Sequence, residues 1–344
     1  QRQMCIRDSL YIYRDTTNSG RWQPLPWDVD SGFGRGGVAI PELIIPTASP
    51  LFTGSDNPLF KALFENLPGF REMYLRRLRS LMDEFIQVPG TPDDQLYFEN
   101  RIDQMAVPLA ADALLDAERW GTWVVDPVTQ VTTHAHEGLP TWQDHFAILR
   151  NEYFPKRRQF LYSSLQSANG GTPIPPQLND ARIEIAHVEA SPVSGDQNEE
   201  YIQLSTPSGT AVDLSGWLLT GGIQFEFGPG TVIPANGTLY VAANVSRFLT
   251  RQQSPTGGEG RFVVGDYSDR ISNYGASIQL TDASGRVVDV RTTLPQPTPA
   301  QDHLRITEIM YHPRAVIDGQ RYATDDFEFI ELMNTSLTET IDLQ

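Results

Sequence analysis

Residues 10–35 read LYIYRDTTNSGRWQPLPWDVDSGFGR. Leu10 and Ile12 alternate with Tyr11 and Tyr13, Asp15-Thr16-Thr17-Asn18-Ser19-Gly20 has the composition of a turn, and Arg21-Trp22-Gln23-Pro24-Leu25 resumes an extended run. The pattern predicts a β-hairpin. At its end stand Trp27-Asp28-Val29-Asp30, two carboxylates alternating along extended backbone, before Ser31-Gly32-Phe33-Gly34 lets the chain turn away. Hard oxygen donors on a strand end, beside a close approach that glycine permits, suit a Mg²⁺ or Mn²⁺ ion carrying a nucleotide phosphate, so Asp28 and Asp30 are the candidate metal ligands. A D-x-D at a hairpin end also reads as a solvated turn, and the motif alone does not separate the two.

Around this stretch the chain is long and acidic. With 344 residues, 40% of them hydrophobic, it can bury more than one core and is expected to hold two or more domains. Its formal charge is −17, and no run beyond Arg71–Arg79 and Lys156–Arg158 is dense in Lys and Arg, which disfavours a nucleic-acid or anionic-membrane surface. No apolar stretch approaches membrane-spanning length. The single cysteine, Cys5, lies in Met4-Cys5-Ile6-Arg7-Asp8-Ser9, which looks like a translated sequencing adapter. Residues 1–9 are accordingly expected to be an artefact on a fragment that begins near Leu10. A chain otherwise free of cysteine fits an exported protein without disulfides, and many cytosolic ones.

After a Pro-, Gly-, Ser- and Thr-bearing loop over Gly36–Asp56, the period becomes helical. Asn57-Pro58 is a start signal, and Leu59, Phe60, Leu63 and Phe64 recur at helical spacing. From Pro68 to Ile86 one stripe gathers Phe70, Met73, Tyr74, Leu78, Leu81, Met82 and Phe85. Arg71, Arg76, Arg77 and Arg79 fall largely off it and read as a solvated face rather than a phosphate site. Thr91–Trp120 predicts a helical pair, broken or restarted at Pro108. Thr141–Leu165 predicts one or two more helices, interrupted at Pro155. His134 and His136 sit in the polar string THAHEG, and with His145 they supply no zinc-like spacing, so they read as loop histidines.

Ser163–Pro176 is rich in Ser, Gly and Pro and reads as a linker. Beyond it, alternation replaces helical spacing in Ala181–Glu189, Glu200–Leu204, Trp217–Leu219, Ile223–Phe227, Leu239–Ala243, Ile278–Thr281 and Val287–Val290. Many short strands without helices predict a β-sandwich. In it Trp217 is a core residue, Tyr240 and Phe225 pack, and Glu199, Glu200 and Asp213 are surface charge rather than a Ca²⁺ cluster.

The string YxYRD, GRW and PWDxDxxFG, followed by NPLF and LFENLPGFREMYLRRLRSLMDEF, resembles the CotH (spore coat protein H) family of secreted kinases. That resemblance implies a kinase-like helical lobe in which Asp28 stands where ordinary protein kinases hold Mg²⁺, with Asp30 the second ligand, and a reaction that moves a phosphoryl group from ATP to a protein hydroxyl. It places the family's catalytic aspartate and nucleotide-positioning lysine N-terminal to the hairpin. No catalytic or nucleotide-contacting residue is therefore assigned here, and this fragment is expected to be inactive by itself.

E-Y-I-x-L at Glu200–Leu204 and D-L-S-G-W-x-L at Asp213–Leu219 resemble the lamin tail domain, an immunoglobulin-like sandwich. Ser205-Thr206 departs from the family's usual asparagine. Leu304–Pro313 then echoes Arg182–Pro192, Asp326–Asn334 echoes Glu199–Thr206, and Thr340–Leu343 echoes Ala211–Leu214, a domain-sized repeat.

The fold class expected is α+β and multi-domain: an artefact at 1–9, a CotH-like helical lobe with a β-hairpin at 10–165, a linker at 166–180, an immunoglobulin-like sandwich at 181–295, and the truncated start of a second at 303–344. The resemblance implies an extracellular or cell-surface bacterial protein, a kinase requiring Mg²⁺ or Mn²⁺ with ATP, and a protein substrate or a surface or matrix partner. The alternatives are a non-catalytic scaffold and, with ligands that the sequence does not place, a metal-dependent hydrolase.

Overall fold

The predicted hairpin forms, with β1 (Leu10–Arg14) antiparallel to β2 (Trp22–Pro26), Leu10 opposite Pro26 and Arg14 opposite Trp22. Pro24 and Pro26 carry no N–H, and a two-stranded sheet consists only of edges, where a strand tolerates proline. The computed structural model describes residues 10–14, 22–26, 58–125, 132–135, 141–164, 174–178, 180–314 and 323–343. The chain divides into two compact units, residues 1–66 with 77–177, and residues 67–76 with 178–344.

Helices follow as the apolar spacing requires: α1 (Pro58–Asn66), α2 (Pro68–Leu81) and α3 (Tyr97–Trp120). A π turn, Met82–Ile86, extends α2 without a break and buries Met82. The expected break at Pro108 does not occur, and α3 runs through it as one helix of 24 residues. One lost backbone hydrogen bond is offset by Leu109–Leu115, which is dominated by Ala and Leu, the strongest helix formers. α3 stops at Gly121, whose positive φ lets its N–H cap the Ala117 carbonyl at 2.9 Å.

Two elements differ from the reading of the polar loop and its neighbours. β3 (Thr122–Val125) and β4 (Thr132–Ala135) form a hairpin that places His134 in a strand opposite Trp123. The helical run after it is continuous rather than interrupted: α4 (Trp142–Ile148), a π turn Leu149–Tyr153, α5 (Phe154–Gln159) and a π turn Phe160–Ser164. Thr141 and Asp144 form a capping box at its start, and the π turn Leu149–Tyr153 lies just before Pro155, a point at which the helical ladder already departs from regular α spacing. The helical core packs Phe98 flat on Phe154, ring centroids 4.6 Å apart, with Tyr153 and Leu161 buried.

The second unit holds the sandwich. Its elements are β5 (Glu184–Glu189), β6 (Tyr201–Ser205), β7 (Val212–Asp213), β8 (Leu218–Thr220), β9 (Ile223–Glu226), β10 (Val232–Ile233), β11 (Thr238–Ala242), α6 (Val245–Leu249), β12 (Val263–Val264), β13 (Ser268–Asp269), β14 (Ser277–Thr281) and β15 (Val287–Thr292). One sheet runs β12-β11-β6-β5 and the other β13-β9-β8-β14-β15, with β7 and β10 paired separately. Alternation sends Ile185, Ile202, Leu204, Leu239 and Val241 from one sheet against Leu219, Ile223, Ile278 and Leu280 from the other, with Trp217, Leu214 and Phe227 in the same cluster. The overall class is α+β, and the sandwich is immunoglobulin-like.

The helix α6 was not expected. Asn244 caps it by accepting from Arg247 N, and Phe248 packs on Tyr201 and Tyr240 in a small core of its own. β5 lies at a sheet edge, and side chains of β15 occupy its backbone: Asp289 accepts from Ile185 N at 2.7 Å, and Arg291 donates to Ile185 O at 3.4 Å. After α7 (Pro299–His303), β16 (Leu304–Met310) and β17 (Phe329–Asn334) pair antiparallel.

Candidate functional site

The metal-ligand candidates follow the hairpin in sequence. Asp28 follows the last paired residue, Pro26, by two positions, and Asp28 and Asp30 themselves lie outside the described residues. His136 does too. His134 is in β4 and His145 in α4, and among the described residues no group of three or more His, Cys, Asp or Glu side chains gathers as a metal site.

The helical unit instead concentrates its buried polarity where π turns meet α3. Arg158 and Glu99 pair at 2.7 Å with side chains 8% and 3% exposed, and Arg158 Nε donates to Ile86 O at 2.7 Å, satisfying the end of the first π turn. The second Glu99 oxygen, Oε2, is buried with no hydrogen-bond partner among the described residues. Nearby, Tyr162 of the last π turn donates to Asp83 at 2.8 Å, Arg79 reaches both Asp83 oxygens at 2.9 Å, and its guanidinium lies 4.9 Å over the Tyr162 ring. Burial and the Asp83 carboxylate raise the Tyr162 hydroxyl well above the ordinary tyrosine range. Apart from Glu99 Oε2, these groups pair with one another and with the Ile86 carbonyl, and their chemistry is to hold the π turns and α3 in one arrangement.

The arginines read as a solvated face divide. Arg79 is the Asp83 partner, and Arg76, within the second unit, is buried and donates Nε–H to Ala211 O at 3.0 Å. Arg76 donates to a backbone carbonyl 135 residues away, a partner that helical spacing does not reveal. Asp103, Trp142, Phe146 and Arg150 line a shallow groove, with Arg150 at 3.0 Å from Asp103 and the two rings edge to face at 5.3 Å.

In the sandwich the reading of Glu200 as surface charge is corrected. It is fully buried: Tyr267 donates its hydroxyl to Glu200 Oε2 at 3.0 Å and Ile271 N donates to the same oxygen at 3.1 Å, while Oε1 has no hydrogen-bond partner among the described residues. Burial raises the Glu200 carboxyl above its usual range against these donors, and raises Tyr267 further. One signal pointed to it: a glutamate opens both Glu200-Tyr-Ile-Gln-Leu and its echo Glu328-Phe-Ile-Glu-Leu. Asp213, by contrast, is partly exposed and turns the chain by accepting from Ser215 N at 3.0 Å, and Trp217 is in the core as expected.

Residues 5–161 match the family described as CotH kinase protein, and residues 176–294 match the Lamin Tail Domain. No curated protein matches the chain. No helix among the described residues is long and apolar enough to cross a membrane. The β-hairpin with its run of helices is therefore a CotH kinase-protein segment, and the immunoglobulin-like sandwich joined to it is a lamin tail domain.

Proposed function

We propose that this chain belongs to an extracellular or cell-surface protein in which the CotH segment serves ATP-dependent phosphoryl transfer to a protein and the lamin tail domain attaches that segment to a surface or matrix partner. The observation that carries the reading is the match over residues 5–161 together with the Trp27-Asp28-Val29-Asp30 string that follows the hairpin. Two carboxylates are the donor set that Mg²⁺ or Mn²⁺ takes, and Asp28, with Asp30 second, would hold the ion. Bound there, the ion would supply charge neutralisation to phosphate oxygens.

Titration of the full chain and its Asp28→Ala variant with Mg²⁺ and Mn²⁺, each with and without ATP, tests this. Saturable binding that is lost in the variant supports the reading. Equal behaviour of the two proteins removes the metal role from Asp28 and leaves a non-catalytic scaffold, in which the CotH segment holds the lamin tail domain in place.

A further inference from the structure

The hairpin β16–β17 reproduces β5–β6 pair for pair. In the lamin tail domain Glu184, Ile185, His187, Val188 and Glu189 stand opposite Ser205, Leu204, Gln203, Ile202 and Tyr201, with a register shift between Ile185 and His187. In the later hairpin Arg305, Ile306, Glu308, Ile309 and Met310 stand opposite Met333, Leu332, Glu331, Ile330 and Phe329, with the shift between Ile306 and Glu308. The bulge therefore falls at the same step, at Ala186 and at Thr307. A bulge re-aims every side chain after it, so matching bulges keep matching faces.

The two faces differ in what covers them. Ile185, Ile202 and Leu204 are at most 2% exposed because Leu219, Ile278 and Leu280 of the opposing sheet lie in the same core. Ile306, Ile309, Ile330 and Leu332 are 60%, 57%, 62% and 45% exposed. Polar positions correspond as well: Glu184, His187 and Gln203 answer to Arg305, Glu308 and Glu331. A contiguous apolar face rimmed by charge marks a surface that is built to be covered.

We propose that Leu304–Asn334 is the opening hairpin of a second sandwich of lamin-tail type, and that its open face docks an opposing sheet of the chemistry of β8 and β14. The established interface between β5–β6 and that sheet supplies the template. A second copy of the chain is the competing occupant, and the formal charge of −17 on each copy opposes it. The inference does not depend on the kinase reading.

The test is a graft in the full chain. His303–Met310 replaces Arg182–Glu189 and Glu328–Met333 replaces Glu200–Ser205, and a control graft carries the same segments displaced by one residue, which turns the apolar set to the wrong face. The in-register graft is expected to keep a cooperative sandwich transition with a midpoint within about 5 °C of the parent, and the displaced graft to lose it. Loss of the transition in both, or its survival in both, overturns the proposal. Sedimentation equilibrium of the parent chain and of Ile330→Asp gives the second readout. A monomer in both cases supports it, and a parent dimer abolished by Ile330→Asp assigns the face to a second copy instead.

Discussion

Arg158 and Glu99 are 59 residues apart in sequence and form a buried ion pair at 2.7 Å, with the Arg158 guanidinium also closing the Ile86 carbonyl. The pair joins α5 to the first turn of α3. Its two ends have unequal support, since one Glu99 oxygen has no hydrogen-bond partner among the described residues. Removing one partner strands the other charge away from water, which is the costly way to break such a pair. Arg158→Ala is expected to destabilise the helical unit by about 3–5 kcal/mol, and Arg158→Met with Glu99→Leu to recover most of that loss. Urea unfolding followed by far-UV circular dichroism measures both.

Glu200 makes the sandwich sensitive to pH. Its folded carboxyl binds its proton more tightly than the unfolded chain does. The resulting stability is complete below the ordinary glutamate value of 4.5 and is lost as pH rises from there through the raised folded value. Glu200→Gln keeps an acceptor for Tyr267 and Ile271 and cannot ionise. Its stability relative to the parent should rise from about pH 5 to about pH 8, measured by urea midpoints at the two values. A constant difference would show that Glu200 does not carry the pH dependence.

The turn joining β8 to β9 sets a steric limit. A Cβ on Gly221, at φ +91, would lie 1.9 Å from the Ser277 carbonyl oxygen, whereas one on Gly285, at φ +87, meets nothing within 4 Å. Both alanine substitutions carry the strain of positive φ, about 1 kcal/mol. Gly221→Ala adds displacement of β14 and is expected to cost several-fold more than Gly285→Ala in thermal unfolding.

Ile202 and Ile330 occupy corresponding places in β6 and β17, 0% and 62% exposed. Ile202→Ala should cost about 2–5 kcal/mol because it opens a cavity in a closed core. Ile330→Ala should change stability by less than about 0.5 kcal/mol, because most of its side chain is already exposed. Equal costs would mean that the β17 face is covered in solution.

Much of the fold was legible in local pattern. The hairpin over Leu10–Pro26, the change from helical to alternating period, the lamin-tail strings and the core placement of Trp217 all depend on spacing between near neighbours, and all are found. The two-residue strands β7, β10, β12 and β13 are too short to show alternation, and β12 joins its sheet parallel to β11 through a distant pairing. Pro108 was read by its local rule, which the flanking Ala and Leu residues overrode.

By itself the sequence determined the order of elements, the two family segments, the acidic character and the Asp28 and Asp30 candidates, because periodicity, turn chemistry and motif are written in contiguous residues. Tertiary structure alone decided which charges go inside. Arg76, Glu99, Arg158 and Glu200 have ordinary surface-type local contexts, and each is buried because a partner far along the chain, Ala211, Arg158, Glu99 and Tyr267 respectively, meets its charge or hydrogen-bonding capacity. The cost of burying a charge depends on that partner, and its distance in sequence carries no local signature.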